Sequence, residues 1–480
     1  MRIFKKSILI LFLFVIASSL LFSGCRKPRV EEVSYEGVEL TYYKMFDDEE
    51  VIRPIIDEFV SNHPGLRINY RKFNDFDEYQ NLILNEMAEG RGPDIFSMQN
   101  TWFTSNFRKI APMPEFLSPE DMTLPEVFAE VFVDVAYRDL VRPDEYGVDQ
   151  VYALPMTVDT LALYYNRAHF EDRIPARGRP STTWEGIKED VVLLNRFDPD
   201  FGFLEVGGIA LGRSDNVTRA VDILYLLFLQ HGVDFYNENI SEAIFARAQR
   251  AGADSTAADA LELFTSFSDE SQRHFSWGTY LADPDDMANE IEAFARGRVS
   301  MIIGYSFMHD EIVNQIGILR NQGATTIRTD DIRIATIPQT FDPAVTGQKR
   351  VTYASYFAET VSRNSEYPDL AWEFLVELTN KTNLEYYFDK LKKPTSRRDM
   401  IQEQQRHPIY GVFASQIGFA ESFPIINYYR YKDVFEDVIA LTNLNRGTAR
   451  ANLINAQDQI TRMLPQIGII EPPLESPDEN

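Results

Sequence analysis

The stretch VELTYYKM, Val38–Met45, decides the fold class together with its two successors, LRINYRKF (Leu66–Phe73) and DIFSMQ (Asp94–Gln99). Each is short, rich in β-branched or aromatic residues and bounded by turn formers, the pattern of a strand. Between them, Glu49 to Val60 and Tyr79 to Glu89 carry apolar residues at helical spacing. The βαβαβ order predicts an α/β fold, because parallel neighbours need a crossover helix between them. In an open parallel sheet a ligand sits beyond the carboxyl ends of the strands. Those ends are Lys44 to Asp47 and Gln99 to Trp102.

Further along, VYALP and TLALYYN read as strands flanking Met156 to Asp159, and Thr182 or Thr183 is placed to cap a helix starting near Trp184. Thr218–Gly232, Ala257–Phe267 and Met287–Gly297 have helical patterns. The last runs into EAFARGRVSMIIGYSF (Glu292–Phe307), whose apolar strand stops on Gly304, Tyr305, Ser306 and Phe307. IRIATIP and YASYFAETV read as strands, and Pro368 to Leu464 is almost wholly helical. No repeat and no low-complexity linker divides the chain, which fits lobes built from discontinuous segments.

The chain has 480 residues, 44% of them hydrophobic and 13% aromatic, enough for two or three folded cores. Its net charge of -26 argues against a nucleic-acid partner, whose phosphates need cations. The single cysteine, Cys25, excludes an internal disulfide and a thiolate metal cluster. It follows a cationic start (Arg2, Lys5, Lys6), an apolar run from Ile8 to Phe22, and Ser23-Gly24, the three-part layout of a secretory signal. The ending LFSGC resembles a bacterial lipobox, so residues 1–24 are expected to be a lipoprotein signal peptide and Cys25 the lipidated residue. Residues 25–37 then form a tether, and 467–480 a disordered tail. The run ILYLLFL, Ile223 to Leu229, is too short to span a bilayer. The mature chain is therefore expected outside the cytoplasm, lipid-anchored at the membrane.

Nine stretches in order carry a resemblance: FVSNHPGLRINY, EMAEGRGPDIF, YALPMTVDTLALYYNRAHF, TTWEGI, EAFARGRVSMIIGYS, IATIPQ, PDLAWEFLVELTNKTN, PTSRRDM and GTARANLINAQDQITRML. Together they span Val38 to Leu464 and resemble the family 1 extracellular solute-binding proteins, the carbohydrate-type, maltose-binding-protein-like lipoproteins of ABC importers. The resemblance implies a type II periplasmic-binding-protein fold, with two α/β lobes joined by hinge strands and a ligand cleft between them. It places lobe I at 38–156 and 357–394 and lobe II at 157–356 and 395–466. Crossovers fall near Met156–Asp159, Ala354–Phe357 and Lys393–Ser396.

A sugar offers flat C–H faces and a rim of hydroxyls, so its site needs aromatic rings together with amides, carboxylates or cations. The resemblance brings Tyr305 and Phe307 to the cleft as stacking rings, with Tyr428 as a further ring. Lys44, Phe46 and Asp47 follow the first strand, and Gln99 and Asn100 follow the third. Asp159 matches a hydrogen-bonding acid at the first crossover. Tyr353 and Tyr356 stand where the family has small residues, and would narrow the cleft or add stacking area. Arg397 reads as a structural ion-pair partner and Trp372 as core.

GGIALGRS, Gly207–Ser214, imitates a phosphate loop but carries Arg213 in place of the lysine. It reads instead as a strand leading to a helix capped near Ser214 or Asp215. DPDD, Asp283–Asp286, lacks the glycine and glutamate of a calcium loop. The six histidines form no zinc motif, and GYSFM lacks the second glycine of a nucleophile elbow. No metal, cofactor or catalytic residue is expected. The function expected is capture of a sugar or oligosaccharide by a monomer that delivers it to ABC permease subunits. A sensing or adhesion lipoprotein on the same fold is the alternative, followed by a secreted carbohydrate-active enzyme with paired carboxylates.

Overall fold

The computed structural model of the protein describes residues 35–247, 256–278 and 289–464. The signal segment, Cys25, most of the tether, Asp283–Asp286 and the tail lie outside the described residues. Among those described, no helix is long and apolar enough to cross a membrane.

The chain starts with β1 (Glu39–Met45), α1 (Glu49–Ser61), β2 (Arg67–Phe73), α2 (Phe76–Ala88) and β3 (Ile95–Gln99). Both strand pairs are parallel, Glu39 opposite Arg67 and Tyr42 opposite Ile95, as the βαβαβ order requires. The Asp75 side chain accepts from Glu78 N and starts α2 where the strand-to-helix turn needs a cap. An antiparallel hairpin follows, β4 (Val141–Pro143) and β5 (Asp149–Val151), then the short β6 (Leu154–Pro155). The VYALP stretch is thus split between two strands rather than forming one.

After Met156 come β7 (Asp159–Thr160), β8 (Ala162–Asn166) and α3 (Trp184–Leu194), which is capped by Thr183 accepting from Gly186 N. A second hairpin, β9 (Arg196–Phe197) with β10 (Leu204–Val206), precedes α4 (Ala220–Gln230) and α5 (Thr256–Ser266). GGIALGRS is neither strand nor helix start. The helix begins at Ala220, and Arg219 occupies its N-cap position without a side-chain cap. The Arg213–Asp215 ion pair and Ser214 Oγ, bonded to the Glu436 carbonyl, hold the irregular stretch instead. Then come β11 (Met301–Gly304) and β12 (Ile332–Ala335), both antiparallel to β8.

The chain returns through β13 (Thr352–Ser355) into β14 (Phe357–Val361), which enters the first sheet antiparallel to β3 with Phe357 opposite Gln99. The first sheet therefore has the order β2-β1-β3-β14-β6, with a parallel centre and a returning strand. The helices α6 (Pro368–Leu378) and α7 (Lys381–Leu391) cover it, and Trp372 is fully buried there. Beyond β15 (Ala420–Glu421), α8 (Tyr428–Asn443) and α9 (Ala449–Met463) complete the second lobe, capped by Asn427 and Thr448.

Two hydrophobic cores result. One takes residues from Leu40 to Val158 and resumes at Ala354; the other runs from Leu161 to Tyr353 and resumes at Tyr410. Between 400 and 420 the chain alternates, Met400, Ile417 and Ala420 packing in the first core and Tyr410 and Phe413 in the second. The connections lie side by side: Val158 N donates to the Pro394 carbonyl (3.2 Å), Leu161 N to the Tyr353 carbonyl (3.1 Å), and Ser396 Oγ to the Pro155 carbonyl (2.6 Å).

Candidate functional site

The carboxyl end of β1 carries a strained residue. Phe46 has φ +67°, a left-handed conformation in which a bulky side chain is an outlier, and functional sites are where such strain collects. Its ring is 47% exposed and meets Phe357 edge to face at 5.8 Å, while the next residue, Asp47, turns inward. Asp47 accepts from Tyr387 (2.6 Å) and Lys393 Nζ (2.5 Å), and Lys44 Nζ stands 3.3 Å from it and 2.5 Å from Glu359. Burial works to raise Asp47, but Lys44 and Lys393 outweigh it and hold the carboxyl below its usual range. Burial likewise works to lower Lys44, and Glu359 and Asp47 prevail, leaving the ammonium above its usual range. Of the three expected ligand residues here, only Phe46 faces outward. Lys44 and Asp47 are consumed by the network.

At the end of β3, Asn100 and Tyr356 converge on half-buried Asp139: Asn100 Nδ2 donates at 3.0 Å, the Tyr356 hydroxyl at 2.7 Å, and Ser422 Oγ at 2.5 Å. Burial raises the Asp139 carboxyl, and these donors oppose it. Asn100, expected as a ligand contact, and Tyr356, expected to narrow the cleft or add stacking area, thus spend these groups on Asp139. Gln99 differs, because Nε2 donates to Ser355 Oγ while Oε1 is buried with no hydrogen-bond partner.

The facing wall is built on β11. Gly304 leaves room there for Met308, since a Cβ would lie 2.3 Å from the Met308 sulfur. Past it, Tyr305 is buried with its hydroxyl donating to Asp222 (3.1 Å), and Phe307, 38% exposed, stacks on it with ring centroids 5.8 Å apart. The Arg219 guanidinium lies over both rings, 5.7 Å from Tyr305 and 5.2 Å from Phe307. Asp159 accepts from Ser306 N (3.0 Å), Ser306 Oγ (2.6 Å) and Thr160 N (2.8 Å). Burial nevertheless pushes its carboxyl up to about 6, against the pull of these donors. Tyr353 is in the core, packed against Tyr225 and Phe423.

Rings connect the two walls. Phe76, the first residue of α2, lies 4.4 Å from Trp102, 5.9 Å from Phe357, 5.9 Å from Tyr428 and 5.5 Å from Tyr429. Tyr428 packs against both cores. Asp222 and burial raise its phenol, and Arg219 pulls the other way, first through its charge and then through a hydrogen bond. Between the lobes there is thus a run of aromatic faces, Phe46–Phe357–Phe76–Tyr428 and Tyr305–Phe307, edged by Arg219, Asp159 and Gln99. Sequence reading missed Phe76, Phe357, Arg219 and Asp222. Phe76 follows the carboxyl end of β2 and was open to the strand-end rule, whereas Phe357 opens the antiparallel β14 and reaches that edge only by pairing with Gln99. Arg219 and Asp222 had no such marker.

A separate cavity of about 1070 Å³ opens beside the β9–β10 hairpin, lined by Arg196, Phe201, Arg213 and Phe275 among others, and shares no residue with these rings. Among the described residues, no group of three or more His, Cys, Asp or Glu could hold a metal ion.

The family model described as bacterial extracellular solute-binding protein matches residues 47–385. No curated protein sequence matches the chain. Solved structures share its fold at low identity. The sugar-binding protein MalE from Xanthomonas citri is 14% identical, with TM-score 0.69, covering 89% of this chain and 98% of its own. An ABC substrate-binding protein from Listeria monocytogenes in complex with cycloalternan is 14% identical, with TM-score 0.65 and coverage of 89% and 99%. The GacH receptor of Streptomyces glaucescens, solved unliganded and with acarbose, is 16% identical, with TM-score 0.64 and coverage of 90% and 99%.

Proposed function

The chain belongs to the bacterial extracellular solute-binding proteins, and from that premise we propose that it captures a sugar or oligosaccharide between its lobes and hands it to the permease of an ABC transporter. The observation that carries the reading is the run of aromatic faces between the lobes, with Phe46 and Phe307 exposed at its two ends. Rings of this kind take up the C–H faces of pyranoses, and Arg219, Asp159 and Gln99 offer polar groups to hydroxyls. The binding of sugars by structural neighbours, cycloalternan and acarbose among them, supports the same class.

The mechanism is lobe closure. A ligand resting on one wall gains contacts from the other only when the lobes approach, so it biases the equilibrium towards the closed form. The adjacent connections at Pro155–Val158, Tyr353–Leu161 and Pro394–Ser396 are short and few, which suits them to absorb that rotation. In this reading the protein works as a monomer outside the cytoplasm, held at the membrane by a lipid on Cys25, and performs no turnover.

Thermal unfolding of the purified full chain against mono- and oligosaccharides, polyols, sugar phosphates, amino acids and peptides tests the reading. A ligand at a hundred times its Kd adds about 2.7 kcal/mol. A shift with a saccharide is expected; a shift confined to peptides or amino acids overturns the assignment.

A further inference from the structure

Most cations that could serve a ligand near the cleft are already neutralised. Lys44 and Lys393 are bound to Glu359 and Asp47, Arg213 to Asp215, and Arg397 to Asp399. Arg219 is different. It forms no ion pair with a described carboxylate, its Nε is enclosed by protein without a hydrogen-bond partner, and its guanidinium covers the two rings that end the second wall. Asp222 and Glu311 act on it from beyond ion-pair distance, Asp222 the more strongly, and against the pull of burial the guanidinium is held above its usual range. Burial works against the charge, as does its place at the N-terminal end of α4, where the helix dipole is positive.

Arg219 is half-buried, and a guanidinium with no carboxylate in ion-pair range gains from an anion brought to its accessible edge. No carboxylate of the described residues closes on it as an ion pair, and Phe307 beside it is the exposed ring offered to the ligand. We propose that the ligand is an acidic saccharide, one bearing a carboxylate or phosphoryl group that Arg219 receives beside Phe307 and Tyr428. The inference rests on the reading of the interlobe space as a saccharide cleft and narrows it. An arginine suits the task because its planar fork meets a carboxylate or phosphate with parallel hydrogen bonds. With a net charge of -26 the chain as a whole repels anions, so recognition of one has to be this local.

The test is isothermal titration of the full chain with triuronates of galacto, gluco and manno configuration, each beside its methyl ester. Glucose 1-phosphate and inorganic phosphate form a second arm, and maltotriose and mannotriose a third. The expected result is that one acid form binds at least about tenfold more tightly than its ester, or that the sugar phosphate binds where neutral sugars do not. The first outcome identifies a carboxylate, the second a phosphoryl group. Arg219→Gln should remove the preference of acid over ester and Arg219→Lys restore part of it. If an ester or neutral trisaccharide binds as tightly as the acids, the inference is overturned and saccharide capture stands. If none of these sugars binds, both are overturned. The comparison of acid with ester needs only the unaltered protein, so it stands even if an Arg219 variant fails to fold.

Discussion

Lys393 Nζ lies 2.5 Å from Asp47 Oδ1, tying the third interlobe connection to the end of the first strand. The same carboxylate belongs to a chain of buried charges that continues through Lys44 to Glu359. Removing one member strands the others: Glu359→Gln should cost about 3–5 kcal/mol in urea unfolding, because Lys44 keeps its charge without its main partner. The pair replacement Lys44→Met with Glu359→Leu should recover much of that loss. A single variant as stable as the parent would show that the network is not closed to water.

Tyr356→Phe tests whether the residues around Asp139 bind ligand or hold the fold. The hydroxyl donates to the half-buried carboxylate of Asp139, so its loss should lower stability by about 1.5–3 kcal/mol while leaving saccharide affinity within twofold. A large loss of affinity with unchanged stability would return Tyr356 to the cleft.

Phe307→Ala should do the reverse. Its ring is partly exposed, so truncation should change stability by no more than about 1 kcal/mol. Loss of a stacking face should weaken the saccharide that shifts the unfolding temperature by up to about tenfold, measured by titration.

Asp159 gives a pH signature. Its folded-state value of about 6 stands above the 3.8 of an ordinary aspartate, so across that window the folded form holds a proton that the unfolded form has lost. Stability therefore falls as pH rises from about 4 to 6, by at most about 3 kcal/mol and less to the extent that water reaches the carboxylate. Asp159→Asn, which keeps an acceptor for Ser306, should flatten this part of the profile in unfolding measured from pH 4 to 8. An unchanged slope would assign it to other groups.

How much of this could be read from the sequence depended on range. Thr183 caps α3 and the strands β1, β2 and β3 fall where their periodicity put them, because caps and alternation are set by neighbours along the chain. The fate of Lys44 and Asp47 depends on Glu359 and Lys393, more than 300 residues away, and no local pattern announces that meeting. Tyr353 and Tyr356 read as bulky residues at a crossover, yet bulk alone does not say which way a ring turns, and both turn inward. The helix assigned to Ser214 starts at Ala220 because the polar stretch before it is held by side chains rather than by a cap.

The insertion of β14 between β3 and β6 also sets a schedule for folding. Roughly 260 residues separate Gln99 from its partner Phe357, and at ordinary rates of synthesis that delay is about 13–50 s. Until then the first sheet lacks a central strand and β6 has no neighbour. Pairing across so long a loop is intrinsically slow as well. A chain arranged this way stays incompletely folded while most of it is made, and so remains threadable through a translocation pore for longer than one whose lobes follow each other in sequence.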